Sequence, residues 1–301
     1  MPTLLLCAVG RAIRKNVIGT IPFKMMHWFA VLAAFATALP NAVVLKPVAN
    51  MYSRPSEDAD VVSQAIYGAN VELLEQREGW AHVRTFDEYT GWIPLAQLRT
   101  GAAYAASGRV AQVMSQFAHI YREDDVTKHA PLVTVPFETK IEVTVLPQDD
   151  RWIQVRLPDG HAGWIQSGDV AFDVKPLDIP GMLALARKFL GTPYTWGGTS
   201  SYGYDCSGFA QMLERRRGVM MPRDAAPQAD WSGLVPVERK DLQPGDLVYF
   251  GSSAKHITHT GIYLGGNKFI SATTYETPMV RIDDLTDPHW APLLVAERRV
   301  K

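Results

Sequence analysis

The chain has 301 residues, 47% of them hydrophobic and 20% charged, with a formal net charge of -1. That length allows two or three domains with real cores, and the charge balance gives no electrostatic ground for a nucleic-acid partner. No run of 18 or more apolar residues is present, so no spanning helix and no stable membrane insertion is expected.

At the N-terminus, Arg11, Arg14, Lys15 and Lys24 precede an apolar stretch from Trp28 to Leu39, and Ala36-Thr37-Ala38 supplies small residues. This order reads as a secretory signal peptide over residues 1–38, which places the mature protein in the periplasm or outside the cell. An uncleaved tail or anchor is the alternative, and the long stretch before Met25 leaves an internal start open. Of the two cysteines, Cys7 and Cys206, cleavage removes the first, and the second then has no disulfide partner. A lone thiol in an oxidising compartment is either a working nucleophile or an inert buried side chain.

A repeat follows. Trp80-Ala81-His82-Val83 precedes Gly91-Trp92-Ile93, and Trp152-Ile153-Gln154-Val155 precedes Gly163-Trp164-Ile165, with 12 residues between the tryptophans in both copies. Each copy opens on a tyrosine-bearing strand (Met51-Tyr52, Ile120-Tyr121). Strands are expected at Val71 to Leu74, Ala81 to Thr85, Lys140 to Leu146 and Trp152 to Leu157, separated by turn residues, as in small barrels or sandwiches. The two units resemble bacterial SH3-like domains, over residues 44–102 and 108–173. Such domains accompany enzymes that work on the cell wall. Most of the four tryptophans are expected to be barrel core.

From residue 178 to the end at 301 the pattern changes. Apolar residues at helical spacing predict a helix from Asp178 to Leu190, stopped by Gly191, and another from Cys206 to Arg217, closed by Gly218. Strands are expected at Leu247 to Phe250, Thr260 to Leu264, Lys268 to Ala272, Val280 to Ile282 and Leu293 to Glu297. Helices followed by a meander of strands indicate an α+β domain.

Cys206 falls in the first turn of its predicted helix, where unpaired N–H groups and the helix dipole favour a thiolate. Ser207 and Gly208 are small and leave room for a substrate carbonyl, and Gly197-Gly198 allow close backbone approach. His259, on a predicted strand, is the expected base; His256, in a loop-like stretch, is its rival and is expected to be solvated.

Pro193-Tyr194-Thr195-Trp196-Gly197-Gly198, Asp205-Cys206-Ser207-Gly208, Met221-Pro222-Arg223-Asp224, Leu242-Gln243-Pro244-Gly245-Asp246-Leu247 and His259-Thr260-Gly261-Ile262-Tyr263 follow one another in the order and spacing of the NlpC family. The chain thus resembles papain-like cell-wall cysteine peptidases over about residues 178 to 300. The resemblance implies an α+β papain-like domain behind two small all-β SH3-like barrels. It also implies hydrolysis of peptidoglycan stem peptides or muropeptides between D-glutamate and a diamino acid, with no metal or other cofactor.

Matched by position, Cys206 is the nucleophile and His259 the base, while Tyr194, Trp196, Asp205, Ser207, Arg223 and Asp224 line the cleft. Trp196 is either a substrate contact or core packing. Asp205 either caps the helix or also binds a substrate amine; Arg223 and Asp224 either pair with each other or form a charged wall.

The third catalytic position departs from the family, with Ser271 where His, Asn or Gln is usual. If Gly265-Gly266-Asn267 form a three-residue hairpin loop, Ser271 stands opposite Gly261 and diagonal to His259 on the same face; a two-residue loop turns it away. Thr273 is a second candidate there. The resemblance further implies that the first SH3-like unit closes the cleft around a free N-terminal L-Ala, with Tyr89 as the candidate for that wall; the alternative is an ordinary exposed turn tyrosine. The competing readings are a peptidoglycan-binding scaffold with an impaired site, and an amidase or acyl transferase of the wider papain-like group.

Overall fold

The computed structural model describes residues 41–145 and 151–301. The signal peptide expected over residues 1–38 lies outside the described residues, as does the expected strand end at Leu146. No helix among the described residues is long and apolar enough to cross a membrane.

The first β unit contains β1 (Asn41–Val44), β2 (Val48–Tyr52), β3 (Val61–Ile66), β4 (Asn70–Arg77), β5 (Trp80–Arg84), β6 (Thr90–Pro94) and β7 (Leu98–Thr100). The second contains β8 (Val110–Val113), β9 (Phe117–Tyr121), β10 (Val133–Pro136), β11 (Lys140–Val145), β12 (Trp152–Arg156), β13 (Ala162–Gln166) and β14 (Val170–Ala171). Their sheet orders are β3-β2-β6-β5-β4-β1-β7 and β10-β9-β13-β12-β11-β8-β14, which coincide strand for strand. The duplication seen in the tryptophan spacing is therefore a duplication of topology. Each copy also has a strand, β1 or β8, ahead of the tyrosine-bearing one expected to open it.

None of the four tryptophans joins the core cluster of its β unit. Side chains alternate between the two faces of a strand, and the inward positions belong to Ala81, Val83 and Ile93 in one unit and Ile153, Val155 and Ile165 in the other. The neighbouring tryptophans consequently lie on the opposite face of their strands, where Trp92 is nevertheless buried, at 9% exposure. Trp80 meets Tyr52 edge-on at 5.5 Å, Trp152 meets Tyr121 at 5.7 Å, and Trp92 stacks on His82 at 4.9 Å. Trp164 is half-buried and likewise outside the core cluster.

In the C-terminal domain α1 (Ile179–Lys188) is capped by Asp178, whose carboxylate accepts from the Gly181 N–H at 2.8 Å; Met182, Leu183, Leu185 and Ala186 face the core. The hairpin β15 (Thr199–Ser200) and β16 (Gly203–Tyr204) leads into α2 (Cys206–Arg216), and α3 (Ala225–Ala229) follows. β17 (Leu234–Pro236), β18 (Leu247–Ser253), β19 (His256–Gly265), β20 (Lys268–Thr273), β21 (Met279–Asp284) and β22 (Leu294–Val300) form one antiparallel sheet, ordered β17-β22-β18-β19-β20-β21. α1 and α2 share a core with this sheet. His256 begins β19 rather than lying in a loop, and it is exposed as expected.

The described residues, 41–145 and 151–301, cluster as one compact unit, and both β units dock on the C-terminal domain. Phe137 of the second unit joins its core and meets Phe189 at 5.3 Å. From the first unit, Gln64 Oε1 accepts from the Thr199 N–H at 3.1 Å and Asp87 from Gln211 Nε2 at 2.9 Å.

Candidate active site

α2 begins at Cys206 because Asp205 caps it, accepting from the Gly208 N–H at 2.7 Å. The turn is pressed against the preceding loop: a Cβ on Gly208 would sit 2.2 Å from the Gly198 carbonyl oxygen. Glycine at 208 thus serves backbone packing, not the substrate space expected of it.

Arg223 is 2% exposed and organises this corner. Its Nη1 and Nη2 donate to the two Asp205 carboxylate oxygens at 3.0 and 2.6 Å, and Nη1 also donates to Ser207 Oγ at 3.0 Å. Nε donates to Ser63 Oγ of the first β unit at 3.2 Å. Of the two alternatives for Arg223 and Asp224, the direct pairing is not formed. Arg223 takes the helix-capping Asp205, while Asp224 Oδ2 accepts from Tyr89 Oη at 3.0 Å. Ser207, 5% exposed, is built into this support and does not line open space. Gln228, which the sequence reading missed, is fully buried and donates from Nε2 to the backbone oxygens of Ser207 and Pro222 at 3.1 and 2.9 Å.

The facing strand β19 carries His259, whose Nε2 lies 3.0 Å from Ser271 Oγ on β20. The hairpin has a two-residue turn, Gly266-Asn267, closed by Gly265 opposite Lys268. Both turn residues have positive φ, +57° and +61°, as a primed turn requires. An extra residue, Leu264, bulges between Tyr263 and Gly265, so Ile262 still pairs with Ile270. The bulge restores the register expected of a three-residue loop, and Ser271 faces His259. Gly261 makes room between them, since a Cβ there would lie 3.2 Å from Ser271 Cβ and 2.7 Å from the Phe269 ring. Thr273 is turned to the backbone, its Oγ1 accepting from the Tyr275 N–H at 3.0 Å.

The His259 ring is stacked on Trp290 at 5.0 Å and tilted against Phe250 at 5.6 Å. Burial, reinforced by His289, lowers its pKa to about 3. Burial, reinforced by Asp205, pushes the Cys206 thiol up to about 12; backbone N–H groups of Thr260 and Ser207 and the Arg223 guanidinium act in the opposite direction. Burial therefore outweighs the helix terminus, and the thiolate-favouring environment expected from sequence is not realised in the resting site. Both groups rest neutral at pH 7. The Thr260 contact nevertheless sets the sulfur beside the residue that follows His259.

The Tyr194 phenol is raised by burial first and then by the charges of Cys206 and Asp205, which places it at the same corner. Tyr89 is raised to about 12 by burial and then by Asp224. Trp196 is 71% exposed, which removes core packing as its role. It stands beside Gly197, whose Cα approaches Val61 of the first β unit so closely that a Cβ would lie 2.9 Å from that side chain. The structure thus brings Cys206, Asp205, Ser207, Arg223, Asp224, Tyr194 and Tyr89 into one region and sets Ser271 on His259. Among the described residues no group of three or more His, Cys, Asp or Glu is placed to hold a metal ion.

The chain is similar to known proteins. The NlpC/P60 family profile matches residues 191–299, and that of the bacterial dipeptidyl-peptidase Sh3 domain matches residues 51–98, within the first β unit. A γ-D-glutamyl-L-lysine dipeptidyl-peptidase of Bacillus cereus is 29% identical over 255 residues, 79% of this chain and 74% of the relative. Dipeptidyl-peptidase 6 of Lysinibacillus sphaericus is 26% identical over 83% of this chain and 93% of its own length. The solved structure of an NlpC/P60 family protein from Bacillus cereus superposes with a TM-score of 0.75 at 23% identity, covering 86% of this chain and 99% of that one. It shares the fold. The C-terminal domain of this chain is an NlpC/P60 domain, preceded by a bacterial Sh3 domain.

Proposed function

We propose that the chain is a cysteine endopeptidase of the cell envelope that hydrolyses the γ-D-glutamyl–diamino acid bond of peptidoglycan stem peptides. The observation that carries this reading is the Cys206 thiol at the start of α2, next to a strand whose His259 is held by Ser271. His259 is the base: with Nε2 engaged by Ser271, Nδ1 is left to take the thiol proton. The sulfur attacks the γ-carbonyl, and the first-turn N–H groups of α2 support the oxyanion. The imidazolium then protonates the leaving amine, and water, deprotonated by the same ring, releases the acyl group.

Two neutral partners, Cys206 buried and His259 half-buried, suit this cycle, because proton transfer in the attacking step creates charge only when substrate has displaced water. Tyr89 and Asp224 form the wall at the substrate's N-terminal end. There a carboxylate with a phenol donor fits a free α-amine and rejects an acylated one. The second β unit, with the topology of the first, is a second SH3-like domain that braces the catalytic core through Phe137. The name of the Bacillus cereus relative, a γ-D-glutamyl-L-lysine dipeptidyl-peptidase, supports a bond of the same type.

Mass spectrometry of L-Ala-γ-D-Glu-diaminopimelate incubated with the protein tests the reading. Release of free diaminopimelate by the wild type, and not by Cys206→Ala, is expected, with N-acetylation of the L-Ala blocking it. Release of the peptide from an N-acetylmuramoyl donor instead would identify an amidase.

A further inference from the structure

Away from the Cys206 cleft, a cavity of about 530 Å³ opens where both β units meet the C-terminal end of α2. Its volume lies in the range of small-molecule sites. Neither Cys206 nor His259 lines it. Ile66 and Phe86 come from the first unit, Lys140 from the second, and Arg215, Arg216 and Met220 from α2 and the loop after it. Phe86 and Met220 are 58% and 49% exposed, so the cavity opens to solvent on their side.

The charges around it are unevenly satisfied. Arg215 is paired with Glu138 at 2.6 Å. Asp87 accepts from Thr85 Oγ1 at 2.5 Å and from Gln211 Nε2 at 2.9 Å. Arg216 is different. It is 7% exposed, its Nε is enclosed without a hydrogen-bond partner, and no ion pair reaches its guanidinium among the described residues. A buried guanidinium is an expensive group to leave unpaired, and five donors in a planar fork suit a carboxylate. Lys140, which lines the cavity from the second β unit, is exposed and also carries no ion pair among the described residues.

We propose that this junction is a second ligand site, which binds a small dicarboxylate: one carboxylate on Arg216, the other toward Lys140, and the carbon skeleton against Ile66, Phe86 and Met220. Acidic dipeptides and free aliphatic dicarboxylates share this chemistry. The site draws on all three parts of the fold, so its occupant fastens the first β unit to α2. The Asp87 loop that borders it also carries Tyr89. The inference stands independently of the peptidase reading.

The test is calorimetry on the full chain with glutarate and, separately, with N-acetyl-L-Ala-γ-D-Glu, whose blocked amine keeps it out of the Tyr89–Asp224 end of the cleft. The wild type is expected to bind at least one of them, and Arg216→Gln to weaken that binding at least tenfold. Asp224→Asn, which alters the cleft alone, is expected to leave it unchanged. Glutarate binding without dipeptide binding identifies a free dicarboxylate as occupant; the reverse identifies an acidic peptide. Thermal melting guards against a folding defect: Arg216→Met, relieved of its unpaired charge, melts at or above the wild type without ligand and loses the ligand-induced rise in Tm. No binding of either probe at millimolar concentration, or binding untouched by Arg216→Gln, overturns the proposal.

Discussion

Ser271 Oγ and His259 Nε2 lie 3.0 Å apart across a hairpin whose two-residue turn is corrected by one bulged residue. A hydroxyl therefore occupies the place at which the imidazole is oriented. A neutral hydrogen bond contributes about 1 kcal/mol, so Ser271→Ala is expected to lower kcat about fivefold to tenfold with little change in KM. Ser271→Asn, which retains a polar partner, should recover part of the loss. Steady-state kinetics decide this, and an unchanged kcat in Ser271→Ala would remove Ser271 from the mechanism.

How far the sequence carried the site follows from the same hairpin. Side-chain period two and the need to face His259 singled out Ser271, yet the turn length was unreadable. A two-residue turn with a bulge gives the same register as a three-residue loop. Period two also governs the tryptophans, but hydrophobicity alone assigned them to the core, and small neighbours such as Ala81 took the inward positions. Helix α2 and its Asp205 cap were legible because capping is local. The partner of Arg223 was not, since Asp205 and Ser63 reach it only through tertiary folding. The balance at Cys206 was misread for a similar reason: sequence places a thiol at a helix start but does not reveal its burial.

Tyr89 of the first β unit donates to Asp224 at 3.0 Å. Tyr89→Phe keeps the ring and removes the donor. Loss of about 1 kcal/mol in positioning the carboxylate is expected to lower kcat/KM about fivefold on a peptide with a free amine, mostly through KM. The decisive measurement is the ratio of kcat/KM for free and N-acetylated peptides. If Tyr89 and Asp224 read the amine, the ratio falls in the variant; if Tyr89 merely packs, it stays constant.

Arg223 is a buried charge with a bidentate partner, Asp205, at 2.6 and 3.0 Å. Replacing one member of a buried pair leaves the other charge uncompensated, which typically costs about 3–5 kcal/mol. Arg223→Met is therefore expected to be strongly destabilised in urea, with a lower midpoint at an unchanged m-value. The double variant Arg223→Met with Asp205→Asn should recover part of that stability. Additive losses in the double variant would contradict the pairing.

The resting protonation state at the site gives a spectroscopic prediction. With the thiol pushed up to about 12 and His259 lowered to about 3 by burial, neither group is charged at neutral pH. The thiolate absorbance of Cys206 near 240 nm is expected to stay low through pH 8, and alkylation by iodoacetamide to accelerate steadily with pH. A preformed thiolate–imidazolium pair would instead give an absorbance step in acid. Difference spectra of wild type against Cys206→Ala separate the two cases.

Glu214 lies on the buried face of α2, fully covered, with Arg217 Nη1 at 2.6 Å from one carboxylate oxygen and no partner for the other. Burial raises its pKa from 4.5 to about 7, against the lowering effect of Arg217. The folded state therefore holds this proton more tightly than the unfolded state. Below pH 4.5 the carboxyl is neutral in both states and imposes no penalty. As pH rises toward 7 the unfolded chain releases the proton first, and stability falls by about 3 kcal/mol at 1.36 kcal/mol per unit. Glu214→Gln keeps an acceptor for Arg217 and cannot ionise. Its unfolding free energy, measured in urea at pH 4.5, 5.5 and 7, is expected to lack this decline, so that its advantage over wild type grows with pH. Parallel pH profiles for the two proteins would show that Glu214 is ionised at ordinary pH and that Arg217 fully compensates its burial.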